Sequence, residues 1–174
     1  MQLTPLENNG LLDMAARWLG EQRNYKWLDF GGDIQRLDKL AVKVMARKEN
    51  HVLRAFTADD DIPIGIVGLS DVHHDFKTAT LWIVLGERLY SNKGYAVKAS
   101  SAMLELGFAQ LGLHSINVWA VETNYPSLRA IKRLNFRPAG RQRECHYIDG
   151  VAHDRLWFDM LENEYYELRE NTHA

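Results

Sequence analysis

Three apolar, β-branched runs follow one another in the first half of the chain: His51–Ala58, Pro63–Ser70 and Thr78–Leu85. The first pair is separated by the turn-forming Asp59-Asp60-Asp61, so the three runs read as an antiparallel meander. A meander has two faces that need cover, and the flanking sequence supplies helices. Residues 9–20 place Leu11, Leu12, Ala15, Ala16 and Leu19 at helical spacing, and residues 33–47 do the same with Ile34, Leu37, Leu40, Ala41 and Val44. Between them RNYKWLDFGG is aromatic and ends in two glycines, which suits a loop with anchored side chains. After the meander, Gly94 to Leu111 carries Ala96, Ser100, Met103, Leu104, Gly107, Phe108 and Leu111 on one helical face and should stop at Gly112. A strand Ser115–Val121 and a helix from about Pro126 to Leu134 follow, the proline sitting in the first turn, where its missing N–H is harmless. Near the end, RQRECHYIDGVAHDRLWFDML reads as two strands joined at Asp149-Gly150, the strongest hairpin signal in the chain.

The 174 residues have a hydrophobic fraction of 46%, enough for one core, and the four prolines, at 5, 63, 126 and 138, mark no linker. A single domain spanning 1–174 is expected. Twenty-one Lys and Arg against 23 Asp and Glu give a formal charge of −2, which argues against phosphate-backbone binding and removes nucleic acid as a main partner. The lone Cys145 excludes an internal disulfide and any zinc site built on several cysteines. The start, MQLTPLENNG, lacks a basic and then apolar leader, and nothing approaches the roughly 18 apolar residues of a membrane span, so a cytoplasmic location is expected. His73-His74-Asp75 invites a metal reading, but adjacent side chains on an extended segment point to opposite faces; a loop is expected there, with no metal.

The segment with most chemical content runs from Leu81-Trp82-Ile83-Val84-Leu85-Gly86-Glu87 through Arg88-Leu89-Tyr90 to Ser91-Asn92-Lys93-Gly94-Tyr95-Ala96. A strand feeds a polar loop at a helix N-terminus, where unpaired N–H groups and the helix dipole make an anion site, with Lys93 and Arg88 adding charge. Neither the phosphate loop ending in Gly-Lys-Ser/Thr nor GxGxxG is present, so the signatures of nucleotide hydrolysis and dinucleotide binding are missing. Taken alone, Asn92-Lys93-Gly94 reads first as a plain turn before a helix.

Taken with the downstream half, the chain resembles the GNAT superfamily of acetyl-CoA-dependent N-acetyltransferases. Ser91 to Ala96 is similar to the family's Q/R-x-x-G-x-G/A loop, Asn124-Tyr125-Pro126-Ser127 to its N-x-x-S/A element, and Asn135-Phe136 to its closing Gly-Phe. Tyr147 to Asp154 looks like the Y-x-x-G-x-x-x-D hairpin of the branch with ribosomal-protein N-terminal, spermidine and amino-sugar acetyltransferases. Ser91, Asn92 and Asn135 depart from the pattern. Asn is the residue that best replaces Gly in the left-handed region, so the loop conformation should survive. The resemblance implies an α/β (α+β) fold: a mixed, largely antiparallel sheet with a splayed parallel pair, flanked by helices.

It also implies acetyl-CoA as co-substrate, bound between the strands 79–85 and 115–121. The backbone of Ile83, Val84 and Leu85 would pair with the pantetheine amides, the N–H groups of Asn92, Lys93, Gly94, Tyr95 and Ala96 would hold the pyrophosphate, and Asn124 would bond the pantetheine arm. The reaction is attack of an amine on a thioester and needs a base, an oxyanion donor and a proton for the thiolate. Ser127 is the candidate proton donor, since the Tyr that many members carry four residues on is Ile131 here; as a plain helix cap it needs no catalytic role. A backbone N–H near Leu85 would polarise the carbonyl. For the base, His146 leads, with Glu144 second and Glu122 third. In a regular strand His146 and Glu144 share a face, and a solvent-facing His146 is the competing reading. Tyr25, Trp27, Phe30 and Trp82, joined by Trp157, are candidates for the acceptor pocket or for simple core. Asp29, Asp33, Asp71 and Glu87 would attract a cationic amine or be surface charge. The acceptor is an amine of a small molecule or a protein N-terminus; the alternative is a CoA-binding module of the same fold with weakened catalysis. The terminal hairpin suits a homodimer.

Overall fold

The computed structural model describes residues 1–30 and 37–173, with the side chains of 172 and 173 outside the description. Strands β2 (Val52–Thr57), β3 (Pro63–His73) and β4 (Thr78–Leu85) form the expected meander, with Val52 opposite Leu69 and Gly65 opposite Leu85. A short β1 (Leu3–Pro5) pairs with the free edge of β2, and three residues are too few to signal a strand in the sequence. Strand β5 (Ser115–Val121) lies beside β4. Strands β6 (Arg137–Ile148) and β7 (Val151–Leu161) form the hairpin, giving seven strands in the order β1-β2-β3-β4-β5-β7-β6. Every neighbouring pair is antiparallel except β4–β5. Asp149 (φ 50°) and Gly150 (φ 79°) both occupy the left-handed region, as a two-residue hairpin turn requires.

Alternation along β4 and β5 defines the two faces. Ala79, Leu81, Ile116, Val118 and Ala120 point to one side and are covered by α4 (Tyr95–Glu105), its π-turn continuation Leu106–Gln110, and Tyr165 of a C-terminal helix α6 (Glu162–His173). Trp82 and Val84 point to the other, under Leu11, Leu12, Ala15, Trp18 and Leu19 of α1 (Asn9–Gly20) and Val42 and Met45 of α3 (Lys39–Met45). A one-turn α2 (Gln22–Tyr25) lies inside the aromatic segment expected to be a loop. Helix α5 (Tyr125–Arg133) follows β5 and buries Ile131.

Two elements differ from the sequence reading. Ile34, Asp33 and the expected first turn of the second helix lie outside the described residues, as do Gly31 and Gly32. Residues 37 and 38 are not helical, because Asp38 is the N-cap, its carboxylate accepting the Ala41 N–H at 2.8 Å. The buried face of α3 also differs: Val42 and Met45 face α1, while Leu40 and Val44 are 68% and 50% exposed. Two turns that are apolar nearly all round carry no usable periodicity, so packing against α1 sets the face. Helix α6 escaped detection for the opposite reason: ENEYYELRENTH is polar and buries Tyr165 as its anchor. Among the described residues no helix is long and apolar enough to cross a membrane.

Gly86, at the end of β4, sits against the indole of Trp18: a Cβ built there would lie 2.3 Å from Trp18 ring carbons. That contact lets Trp18 cover the strand end and reach Glu87, which its Nε1–H meets at 2.9 Å. Gly86→Ala is expected to destabilise the fold by about 1–3 kcal/mol, the usual cost of overpacking, measured as a lower midpoint of thermal unfolding.

Candidate active site

Parallel strands β4 and β5 pair through Thr78–Ser115, Ala79–Ile116 and Thr80–Asn117, and then separate. Each is held by its other neighbour: β4 remains in register with β3 as far as Leu85, and β5 with β7 as far as Val121. The carboxyl ends therefore diverge with the backbone edge of Leu81 to Leu85 facing a gap. A cleft of about 660 Å³ occupies it, lined by those residues, Val118, Trp119 and Ala120, the start of α4, and Asn124, Pro126 and Ser127.

At one end is the anion site. A single 3-10 turn, Arg88–Tyr90, leads to Asn92 at φ 61° and Gly94 at φ 84°, the N-cap of α4. The first α4 bond runs from Lys98 N–H to Gly94 C=O at 3.1 Å, so the preceding N–H groups are free for a ligand, and the first turn holds no acidic residue. Asn92 and Asn135 (φ 63°) adopt the left-handed conformation expected where the family has Gly. The loop is tied back to the β2–β3 turn: Tyr95 OH donates to Asp59 at 3.1 Å and Tyr90 OH to Asp60 at 3.3 Å. The Tyr95 hydrogen bond holds the Asp59 carboxyl below its ordinary range, while desolvation pushes the Tyr95 phenol up, so the donor stays protonated. Asn92, Gly94, Tyr95 and Ala96 line the cleft with Arg88, Arg129 and Arg133; Lys93 does not, its ammonium lying over the Tyr90 ring at 5.3 Å.

Asn124 is the N-cap of α5, its Oδ1 accepting the Ser127 N–H at 3.4 Å, and Pro126 occupies the first turn. This fixes half-buried Ser127 on the cleft wall, while Ile131 is in the core.

On the opposite sheet face the cleft is walled by Trp27, Leu28, Asp29 and Phe30 of the aromatic loop with Trp82 and Trp119. Phe30 meets Trp82 edge-on at 4.8 Å. Tyr25 lies outside this wall, as does Trp157, which packs 6.3 Å from Trp119. Arg155 holds the arrangement together. Its guanidinium lies 4.2 Å from the Trp119 ring centroid, its Nη2 donates to Asp29 at 2.6 Å, and its Nε donates to His146 Nδ1 at 3.1 Å. His146 in turn donates from Nε2 to the Lys26 carbonyl at 2.7 Å, which assigns the neutral tautomer. Burial pushes the His146 pKa below its ordinary value; the Lys26 bond opposes this, and the Arg155 charge adds to it. His146 is 4% exposed and does not line the cleft, so it is not the solvent-facing strand residue of the competing reading.

The shared face expected for Glu144 and His146 is not observed. Between the Gln142–Arg155 and His146–His153 pairs, residues 143–145 of β6 oppose the single Asp154 of β7, a bulge centred on Glu144 at φ 48°. Its N–H donates to Asp154 at 2.8 Å and its side chain is exposed. Glu122 accepts the Asp154 N–H at 3.1 Å, and Glu87 is held by Arg17 and Trp18. Asp71 is an exposed bend in β3. His73 accepts the Phe76 N–H through Nδ1 at 3.2 Å, and Cys145 donates to the Gln142 carbonyl at 3.3 Å. No cluster of three possible metal ligands occurs among the described residues.

Trp119, Arg155, Arg129 and Arg133 are absent from the sequence-derived set. Trp119 was accessible by alternation, two residues beyond Asn117 on the same strand face. Arg155 carries no local signal, because its partner Asp29 is 126 positions away.

Comparison with known proteins agrees with this geometry. Residues 1–137 match the family model described as an acetyltransferase (GNAT) domain. An uncharacterized N-acetyltransferase, YnaD of Bacillus subtilis (strain 168), is 36% identical over 76 residues, 44% of this chain and 45% of that protein, less than half its length. Another, p20 of Bacillus licheniformis, is 26% identical over 132 residues, 76% of this chain and 71% of that protein. The crystal structure of spermidine N-acetyltransferase from Vibrio cholerae in complex with CoA and spermine superimposes with a TM-score of 0.82 at 18% identity, covering 95% of this chain and 97% of that one. The chain belongs to the GNAT acetyltransferase family.

Proposed function

We propose that acetyl-CoA enters the opening between β4 and β5 from the α4 side, that a primary amine of a small molecule or a protein N-terminus enters from the aromatic side, and that acetyl passes directly between them while both are bound. The carrying observation is the separation of β4 from β5 beyond Thr80, between a helix N-terminus on one sheet face and an aromatic wall on the other. Buried backbone polar groups require partners. The open edge of Ile83, Val84 and Leu85 suits the two amides of an extended pantetheine arm, and the N–H groups of Asn92 to Val97 suit a pyrophosphate. Asn124, whose Oδ1 is used as a cap, keeps its amide N–H groups to bond the arm.

The amine nitrogen attacks the thioester carbonyl carbon; the C–N bond forms, the C–S bond breaks, and the amine's proton leaves to water. A backbone N–H at the end of β4 holds the carbonyl oxygen. Ser127 holds the proton at Oγ for the departing sulfur and recovers it from solvent. His146 serves as a positioning residue, since its Nδ1 lone pair is taken by Arg155 and its Nε2–H by Lys26. The base is then water at the cleft mouth, and the pH dependence belongs to the amine.

Acetyl-CoA is expected to raise the unfolding midpoint, and thiol release with an amine panel to show turnover; stabilisation without release from any amine would favour a binding module. Ser127→Ala is expected to lower kcat by about tenfold to a hundredfold while sparing acetyl-CoA binding, and unchanged kcat removes Ser127 from the chemistry. His146→Gln, which keeps a donor for Lys26, is expected to retain the rise of kcat/KM with pH. Loss of that limb would restore His146 as the base.

A further inference from the structure

We infer that Asp59 and Asp60, two carboxylates beside an anion site, are positioning residues for phosphate binding: they hold the loop before α4 in the shape that aims its N–H groups. The role presupposes that the pyrophosphate sits on the N–H groups of Asn92 to Val97, as proposed above.

The loop needs to be held. Asn92 stands at φ 61°, a region that residues with a side chain enter only against steric resistance, and Gly94 follows at φ 84°. Ser91, Asn92 and Lys93 are exposed, so core packing does not fix them. A pair of tyrosines brackets them instead. Tyr90 closes the 3-10 turn before the loop and Tyr95 opens α4 after it, their rings meeting edge-on at 5.8 Å. Tyr90 OH reaches Asp60 and Tyr95 OH reaches Asp59, so both flanks of the loop are fastened to adjacent residues of one turn.

That turn is a firm support. It joins β2 to β3, and across its base the Ala58 N–H donates to the Ile62 carbonyl at 2.8 Å. Ala58 and Ile64 on either side are buried in the core. Asp60 also accepts the Ile62 N–H through Oδ1 at 3.4 Å, and its Oδ2 takes the Tyr90 phenol. The start of β3 steadies the chain entering the loop as well: the Ile64 carbonyl accepts the Gly86 N–H at 2.8 Å and the Glu87 N–H at 3.0 Å.

Charge and geometry here pull in opposite directions. Asp59 lies no further from the Tyr95 N–H than one tyrosine side chain and one hydrogen bond, and at low ionic strength a carboxylate at that range repels phosphate. Lys93 and Lys98 over the two rings, and the N-terminal ammonium 3.5 Å from Asp59, offset part of that repulsion. If charge governed, removing the carboxylates would tighten binding. If the two phenol bonds govern, losing them leaves the binding shape of the loop only fractionally populated, and the affinity falls by that fraction.

The Kd of acetyl-CoA is measured by calorimetry on the intact protein and on paired variants, with the unfolding midpoint of each variant taken without ligand. Asp59→Ala with Asp60→Ala is expected to bind about threefold to tenfold more weakly. Asp59→Asn with Asp60→Asn removes both charges but keeps both acceptors, and should bind within about twofold of the parent or more tightly. Tyr90→Phe with Tyr95→Phe cuts the same bonds from the loop side, keeps the rings, and should weaken binding as the alanine pair does; it serves if the alanine pair does not fold. Affinity equal to or above the parent's in the folded alanine or phenylalanine pair overturns the inference, as does an asparagine pair as weak as the alanine pair. Absence of any binding by the parent protein would overturn the cofactor assignment itself, and this role with it.

Discussion

The rest of the structure depends on a pairing that stops. Strands β4 and β5 share three residue pairs and then part, leaving backbone N–H and C=O groups unsatisfied along a strand edge in the middle of a sheet. Elsewhere in a fold this would be a defect costing several hydrogen bonds. It is sustained because β3 holds β4 and β7 holds β5 along their outer edges, so neither strand needs the other to remain a strand. The open edge calls for an extended ligand with amides of its own. The helices on either side follow from it: α4 begins where β4 ends and α5 where β5 ends, so two helix N-termini, together with Ser127, arrive at the same opening.

The electrostatics follow the same economy. The protein carries a formal charge of −2, yet the phosphate end of the cleft requires positive potential. The backbone supplies part of it through the first turn of α4, and the left-handed Asn92 and Gly94 aim those N–H groups. Arg88, Arg129 and Arg133 supply the rest locally. At the acceptor end the opposite holds: Asp29 and Arg155 cancel, His146 is kept neutral by burial, and the aromatic rings dominate.

Elements whose signal is local were legible in the sequence. Thr78–Leu85 and Ser115–Val121 are strands with the expected bounds, and Asp149-Gly150 turns the hairpin. The αL role of Asn92 and Asn135 follows from residue chemistry alone. Elements decided by distant contacts were not. The buried face of α3 was chosen by α1, β1 exists because β2 has a free edge, and α6 is held through Tyr165. The bulge at Glu144 defeats the inference that residues two apart share a face, because alternation presumes an unbroken ladder. The Arg155 cluster joins a loop, two strands and a ring separated by up to 126 positions, and no motif announces it.

The seven strands form one sheet by hydrogen bonding, but mechanically they are two plates. One comprises β1 to β4 and the other β5 to β7, sewn along a spine of three residue pairs at their amino ends. Opposite the spine, Asp29 of the first plate is latched to Arg155 of the second. Beyond the spine the plates are also packed together, since Val67 and Leu69 of the first share one buried cluster with Ile116, Val118 and Met160 of the second. The opening through which substrates would pass is therefore bounded by a three-pair spine at one end and by a single ion pair at the other.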